Sequence, residues 1–311
     1  MNRSRWLLAL AAVVAGAGNV WAQAAPPHVG FIFPAGGRQG STFEMKLAGQ
    51  FLDDAVSLHF SGEGVEAKIL GQTRPLTMRE LDVLRVKLRD LEKKKTKTDD
   101  DRKEIEAIRK KLVRPPVQPT PALAEVVTME VTIRATAAPG PRQLRLKAKT
   151  GMSNPVVFLV GQLPEVTSKK ELVDPEAPPP RAPDIKMTLP VTLNSQLMPG
   201  GVDRYRFAAR KDQQLVFVTR ARSLIPYLAD AVPGYFQAAL TLYDGKGKEV
   251  AYSDHFHHRQ DPVLAYKVPE DGEYVLEIKD ALYRGREDFV YRIDAGELPF
   301  ITSVFPLGGQ A

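Results

Sequence analysis

Three of the chain's five histidines fall together, at His255, His257 and His258, beside Asp254 and close to Asp261. Imidazoles two apart on a strand share a face, so His255 and His257 have the spacing to hold one transition metal. Catalytic zinc would need a third ligand and an open position. The run also sits between a predicted hairpin strand and Pro262, where a polar exposed loop serves as well. His28 and His59 stand alone. The sequence has no Gly-x-Ser-x-Gly elbow, no phosphate loop and no His-Glu-x-x-His. It has no cysteine, which excludes disulfides, thiolate metal sites and cysteine nucleophiles. No catalytic residue is assigned, and the chain is read as a non-enzyme. Binding chemistry has a better candidate in Tyr227, Tyr235 and Phe236, which follow Pro226 and Pro233-Gly234. Rings on a proline-rich loop can form a flat platform for a peptide or a sugar. The alternative is that they close the open end of a core.

These residues need a framework. The 311 residues are 43% hydrophobic and 26% charged, enough for a packed core and about two domains. Arg3 and Arg5 precede an apolar run over residues 6–18, and Ala22-Gln23-Ala24 follows. This is a secretory leader, residues 1–24, with cleavage expected after Ala24 or Ala22. The run is shorter than the roughly 20 residues a membrane span needs, so the mature chain is expected to lack a transmembrane segment and to be periplasmic, cell-surface or extracellular. The formal charge of +6 is concentrated. Residues 77–114 carry a net +5 and the leader +2, so the rest is close to neutral. A nucleic-acid face would spread basic residues over the fold, so no nucleic-acid partner is expected.

Alternating segments at 42–47, 56–60 and 65–70, and again at 126–133 and 144–148, predict short antiparallel strands. Between them, Thr77-Met78-Arg79-Glu80 is a capping box. Leu81, Leu84, Leu88 and Leu91 follow at helical spacing, then Ile105, Ile108 and Leu112 before Pro115-Pro116. Residues 77–114 thus predict a helical hairpin inserted in a sandwich, either a partner-binding arm or a self-satisfied, solvated hairpin. Residues 167–185 are a proline-rich linker. A second set of strands, with turns at Asp244-Gly245-Lys246-Gly247 and Glu270-Asp271-Gly272, fills residues 186–297. Phe33-Pro34-Ala35-Gly36-Gly37 recurs as Phe305-Pro306-Leu307-Gly308-Gly309, and Gly161-Gln162-Leu163-Pro164-Glu165-Val166 recurs in pattern at Gly296-Glu297-Leu298-Pro299-Phe300-Ile301. The repeats divide the chain at 25–166 and 186–297, with residues 298–311 expected to begin a further module. The fold class is all-β: two antiparallel β-sandwiches, Ig-like then jelly-roll-like, with a helical insert in the first.

The second module resembles the bacterial pre-peptidase C-terminal (PPC) domain. It carries Asp203-x-Tyr205-x-Phe207, then Leu240-x-Leu242-Tyr243-Asp244-x-x-Gly247, then Pro269-x-x-Gly272-x-Tyr274-x-Leu276-x-Ile278, in the family's order. The first module resembles an IPT/TIG Ig-like domain, through Pro34-x-Gly36-Gly37-x-x-Gly40-x-Thr42, Leu47-x-Gly49-x-Phe51 and Gly151-x-Ser153-Asn154-Pro155. The resemblance implies an accessory role in large secreted bacterial proteins, often hydrolases, with binding or scaffolding of an extracellular protein or polysaccharide. It also implies calcium near the start of the PPC-like domain. This sequence departs from the family's Glu-x-Glu-x-Asn-Asp-like run there, reading Lys170-Glu171-Leu172-Val173-Asp174-Pro175-Glu176. Glu171, Asp174, Glu176 and Asp203 remain as candidate calcium ligands, since calcium takes six to eight oxygens. The alternative is a solvated linker with a structural Asp203.

Overall fold

The computed structural model describes residues 25–112, 120–170, 183–226, 235–303, 305–306 and 308. The leader expected from sequence, residues 1–24, lies outside the described residues. The first sandwich contains β1 (His28–Phe33), β2 (Gly36–Arg38), β3 (Thr42–Gln50), β4 (Ala55–Phe60), β5 (Val65–Thr73), β6 (Glu125–Ile133), β7 (Gly140–Ala148), β8 (Gly151–Met152) and β9 (Val156–Gly161). One sheet runs β1-β3-β6-β5, the other β2-β9-β7-β4 with β8 beside β7. β6 shows why it is a strand. Val127, Met129, Val131 and Ile133 are buried, while the residues between them face outward. Phe158 fills the centre, with Phe60 edge-on at 5.0 Å.

Between β5 and β6 stand α1 (Met78–Lys93) and α2 (Asp99–Leu112). They pack through Leu84, Leu88 and Leu91 against Ile105, Ile108 and Leu112. Each helix starts on a cap. Thr77 accepts from the Glu80 amide, and Glu80 accepts from the Thr77 amide at 2.8 Å. Thr98 and Asp101 make the same exchange at the start of α2, at 3.2 and 3.0 Å. The hydrogen bonds from Arg74, then those from Thr77, hold the Glu80 carboxyl down at about 2. Those from Lys94 and the Thr98 amide do the same for Asp101, also at about 2. A carboxyl depressed on folding contributes stability above its unfolded pKa and loses it as pH falls through the folded one. Helical circular dichroism is therefore expected to fall between about pH 4 and pH 2, ahead of the sheet signal. Glu80→Gln should remove part of that titration. Helicity that is flat over this range would show that the caps do not hold the helices.

The second sandwich contains β10 (Glu165–Thr167), β11 (Ile185–Lys186), β12 (Val191–Gln196), β13 (Val202–Ala209), β14 (Gln214–Arg220), β15 (Ala238–Tyr243), β16 (Glu249–Ser253), β17 (Val263–Lys267), β18 (Gly272–Asp280) and β19 (Val290–Gly296). Its sheets run β10-β12-β19-β14-β17 and β11-β13-β18-β15-β16. The core holds Tyr205, Phe207, Phe217, Phe236, Tyr274 and Tyr291. Two sequence boundaries shift here. Glu165 and Val166, counted with the first module, pair with Thr192 and Leu193 of β12. Thr167 and Ile185, counted as linker, also lie in strands of this sandwich. A parallel partner far along the chain supplied the pairing, and local spacing carries no trace of it.

The two sandwiches meet closely. Leu224 and Val290 of the second join the buried cluster of the first. Glu287 accepts from the Thr120 amide at 2.7 Å and its hydroxyl at 2.9 Å.

Candidate functional site

β14 delivers Arg220 to the edge of the second sandwich, and the chain then folds into a short 3-10 helix, Arg222–Leu224. This turn leaves backbone amides without helical partners. Asp261 satisfies them from the loop that leads into β17. Its Oδ1 accepts from the amides of Ala221 at 3.1 Å and Arg222 at 2.6 Å, and its Oδ2 from Ser223 at 3.1 Å. Asp261 is thereby a structural staple between two loops.

The same loop makes a tight turn at its tip. Phe256 and Arg259 exchange two backbone hydrogen bonds of 2.9 Å, with His257 and His258 between them. His257 sits at φ 53°, a conformation usually left to glycine in such turns. Phe256 packs edge-to-face on Phe300 at 5.1 Å, and His257 packs on Phe256 at 4.3 Å. Together with β14 these residues enclose an open cleft of about 810 Å³.

The histidine run does not form a shared metal face. β16 ends at Ser253, so the strand that would align His255 with His257 is absent there. His255 Nδ1 meets Asp254 at 2.6 Å, while His257 turns onto Phe256. Among the described residues no three His, Asp or Glu side chains form a group that could hold a metal ion.

The cleft's charge is basic. Arg220 is neutralised by Asp294 at 2.9 Å, and Asp294 also accepts from the Thr192 hydroxyl. Arg222 and Arg259 make no ion pair among the described residues. The Arg222 guanidinium instead lies 4.5 Å over the Tyr235 ring, a cation–π contact. Among the described residues its Nε and the buried Thr219 hydroxyl have no hydrogen-bond partner.

The sequence candidates separate accordingly. Tyr235 stands at the cleft rim, under Arg222, with its hydroxyl accepting from Gln260 at 3.0 Å. Phe236 is a correction: at 0% exposure it belongs to the core, stacked on Phe289 at 5.2 Å, and offers no binding face. Tyr227 lies outside the described residues, as do Glu171, Asp174 and Glu176. Asp203 is 4% exposed and already engaged. Lys170 Nζ meets its Oδ1 at 2.9 Å, and the Tyr291 hydroxyl donates to Oδ2 at 2.6 Å. Tyr291 in turn lies 2.6 Å from the Tyr205 hydroxyl. Burial first, and Asp203's charge after it, push the Tyr205 phenol up; burial does the same to Tyr291. Both stay protonated: Tyr291 donates to a carboxylate held by lysine, and Tyr205 meets the Tyr291 hydroxyl.

No family model matches the sequence, and none of the curated proteins matches it. Solved structures do. The pre-peptidase C-terminal domain of collagenase from Bacillus anthracis aligns over 37% of this chain and 99% of its own, at 13% identity and a TM-score of 0.26. The secreted serine protease VesC from Vibrio cholerae aligns over 90% of this chain and 49% of its own, at 10% identity and a TM-score of 0.22. Bacteroides ovatus SGBP-B, solved with a mixed-linkage heptasaccharide, aligns over 84% and 72%, at 8% identity and a TM-score of 0.21. The cleft residues Phe300 and Ile301 were missed from sequence, because they read as part of a boundary repeat. Their apolar character beside a proline, exposed in Ile301 at 75%, was the available signal.

Proposed function

We propose that this chain is an exported, non-catalytic binding and scaffold protein, with an IPT/TIG-like sandwich carrying a helical arm and a PPC-like sandwich carrying the ligand seat. The ligand class is an extracellular protein or polysaccharide. The observation that carries this reading is the cleft. It combines two packed rings, two arginines with no ion pair among the described residues and a glycine-like backbone at His257, all on loops braced by a rigid sheet. Binding residues belong on such loops, where the scaffold fixes their geometry. Strain at His257 fits the same reading, since backbone strain gathers where ligands are held. Among the described residues no helix is long and apolar enough to cross a membrane. The recurrence of Phe33–Gly37 at the end of the sequence favours a second reading, an accessory region of a larger secreted hydrolase.

The test is retention of the purified mature chain on a panel of immobilised polysaccharides and matrix proteins. At least one should retain it, and Phe256→Ala should weaken that retention about tenfold. Retention indifferent to the cleft, or turnover of a panel polymer by the chain, would sink the reading.

A further inference from the structure

We infer that the cleft takes an acidic polysaccharide, a chain of hexuronic acid units. This rests on the cleft being a binding site, and it adds the chemistry of what is bound. Three arginines line the cleft against one carboxylate. Arg220 is spent on Asp294, and the one acid, Asp261, is turned to three backbone amides. Arg222 and Arg259 are left with positive charge facing a concave, partly apolar surface. The chain outside residues 77–114 and the leader is nearly neutral, so this is a local patch on that sandwich. Guanidinium groups match carboxylates in a two-point fork.

The rings choose between kinds of acid. Phe256 and Phe300 give the cleft an aromatic wall beside the arginines. A pyranose has an apolar C–H face to lay on a ring and a carboxylate to set on an arginine. It also brings hydroxyls, and among the described residues Arg222 Nε has no hydrogen-bond partner. An acidic peptide would need backbone donors and acceptors in the cleft. The amides at 221–223 that would serve it are already taken by Asp261.

Polygalacturonate, its fully methyl-esterified form and a neutral β-glucan separate the possibilities in affinity electrophoresis of the mature chain. Polygalacturonate should be retained, with retention falling as sodium chloride rises. Arg222→Ala and Arg259→Ala should each weaken it about tenfold, and the pair more, measured well below the thermal midpoint, which Arg259→Ala leaves in place and Arg222→Ala lowers slightly through its lost contact with Tyr235. The basic helices are the competing source of attraction. Lys103→Gln with Lys111→Gln, both exposed on α2, should leave retention unchanged. Loss in that helix variant and not in the arginine variants would overturn the inference. Equal retention of the esterified and neutral polymers, still weakened by Phe256→Ala, would overturn the acid and leave the binding reading standing. Retention by none of the three would overturn it too, with the wider panel above then deciding the binding reading.

Discussion

Glu165→Ala is expected to cost about 3–5 kcal/mol of stability, because it strips the partner from a buried arginine. The Arg292 side chain is 2% exposed. Its Nη2 meets Glu165 Oε1 at 2.5 Å, while its Nη1 reaches Glu165 Oε2 at 3.1 Å and Asn194 Oδ1 at 2.8 Å. Asn194 in turn donates to Glu165 at 2.9 Å. Each member satisfies the others, and Arg292 and Asn194 are buried away from water while Glu165 is partly exposed. The cluster also lies where the sandwiches meet. A Cβ on Gly161, at the end of the first sandwich, would stand 2.7 Å from Arg292 Nη2, so the chain needs glycine to pass there. Gly161→Ala should therefore damage the same cluster from the other side. A loss of 3 kcal/mol lowers the thermal midpoint by about 5 °C in a protein of this size. Replacing both charges by apolar residues, Arg292→Met with Glu165→Leu, should recover much of that, since it leaves no charge uncompensated. Scanning calorimetry of the three variants gives the answer. A Glu165→Ala protein within about 1 kcal/mol of the parent would show that water reaches Arg292.

That cluster also shows where sequence reading stops. Strands with one wet face were legible: β3, β6 and β13 alternate over much of their length, and period two located them. The Thr77–Glu80 box and the leucine spacing located α1. β12 and β19 defeat the rule. All six residues of β12 are buried, Thr192, Asn194, Ser195 and Gln196 among them. Polar residues on a doubly covered strand look like surface until the partner that covers them is known. Arg292 and Glu165 are 127 residues apart, and each alone reads as a solvated charge. The cleft was half legible for the same reason. The histidine loop was visible as an exposed turn next to Asp261. That Asp261 caps residues 221–223 depends on β14 pairing with β17. Tyr235 and Phe236 are neighbours in sequence, yet one lies at the cleft rim and the other in the core. The strand that begins at Ala238 is buried at five of its six positions, so no alternation there says which of the two preceding rings turns inward.

Asp280→Ala is the other substitution with a large expected effect, again about 3–5 kcal/mol. Asp280 ends β18 at 0% exposure. Its Oδ1 accepts from the Gln237 amide at 2.9 Å and Arg284 Nη2 at 3.0 Å. Its Oδ2 accepts from the amides of Leu282 at 3.0 Å and Arg284 at 3.1 Å, and from Arg284 Nε at 2.9 Å. Alanine would leave three amides and a largely buried guanidinium without an acceptor. Asparagine keeps one oxygen and loses the charge, so Asp280→Asn should fall between the two. The consequence reaches the cleft. Arg284 Nη2 also donates to the Tyr235 carbonyl at 3.1 Å, and Tyr235 carries Arg222 on its ring. Freeing Arg284 frees the platform on which a ligand-facing arginine rests. In Asp280→Asn, retention on the ligand polymer should therefore drop severalfold at temperatures well below its thermal midpoint, where the fold is intact. Stability lost with retention unchanged would mean that Arg222 holds its place without Tyr235. Retention lost in step with unfolding alone would say the same, because a positioning effect must appear while the protein is still folded.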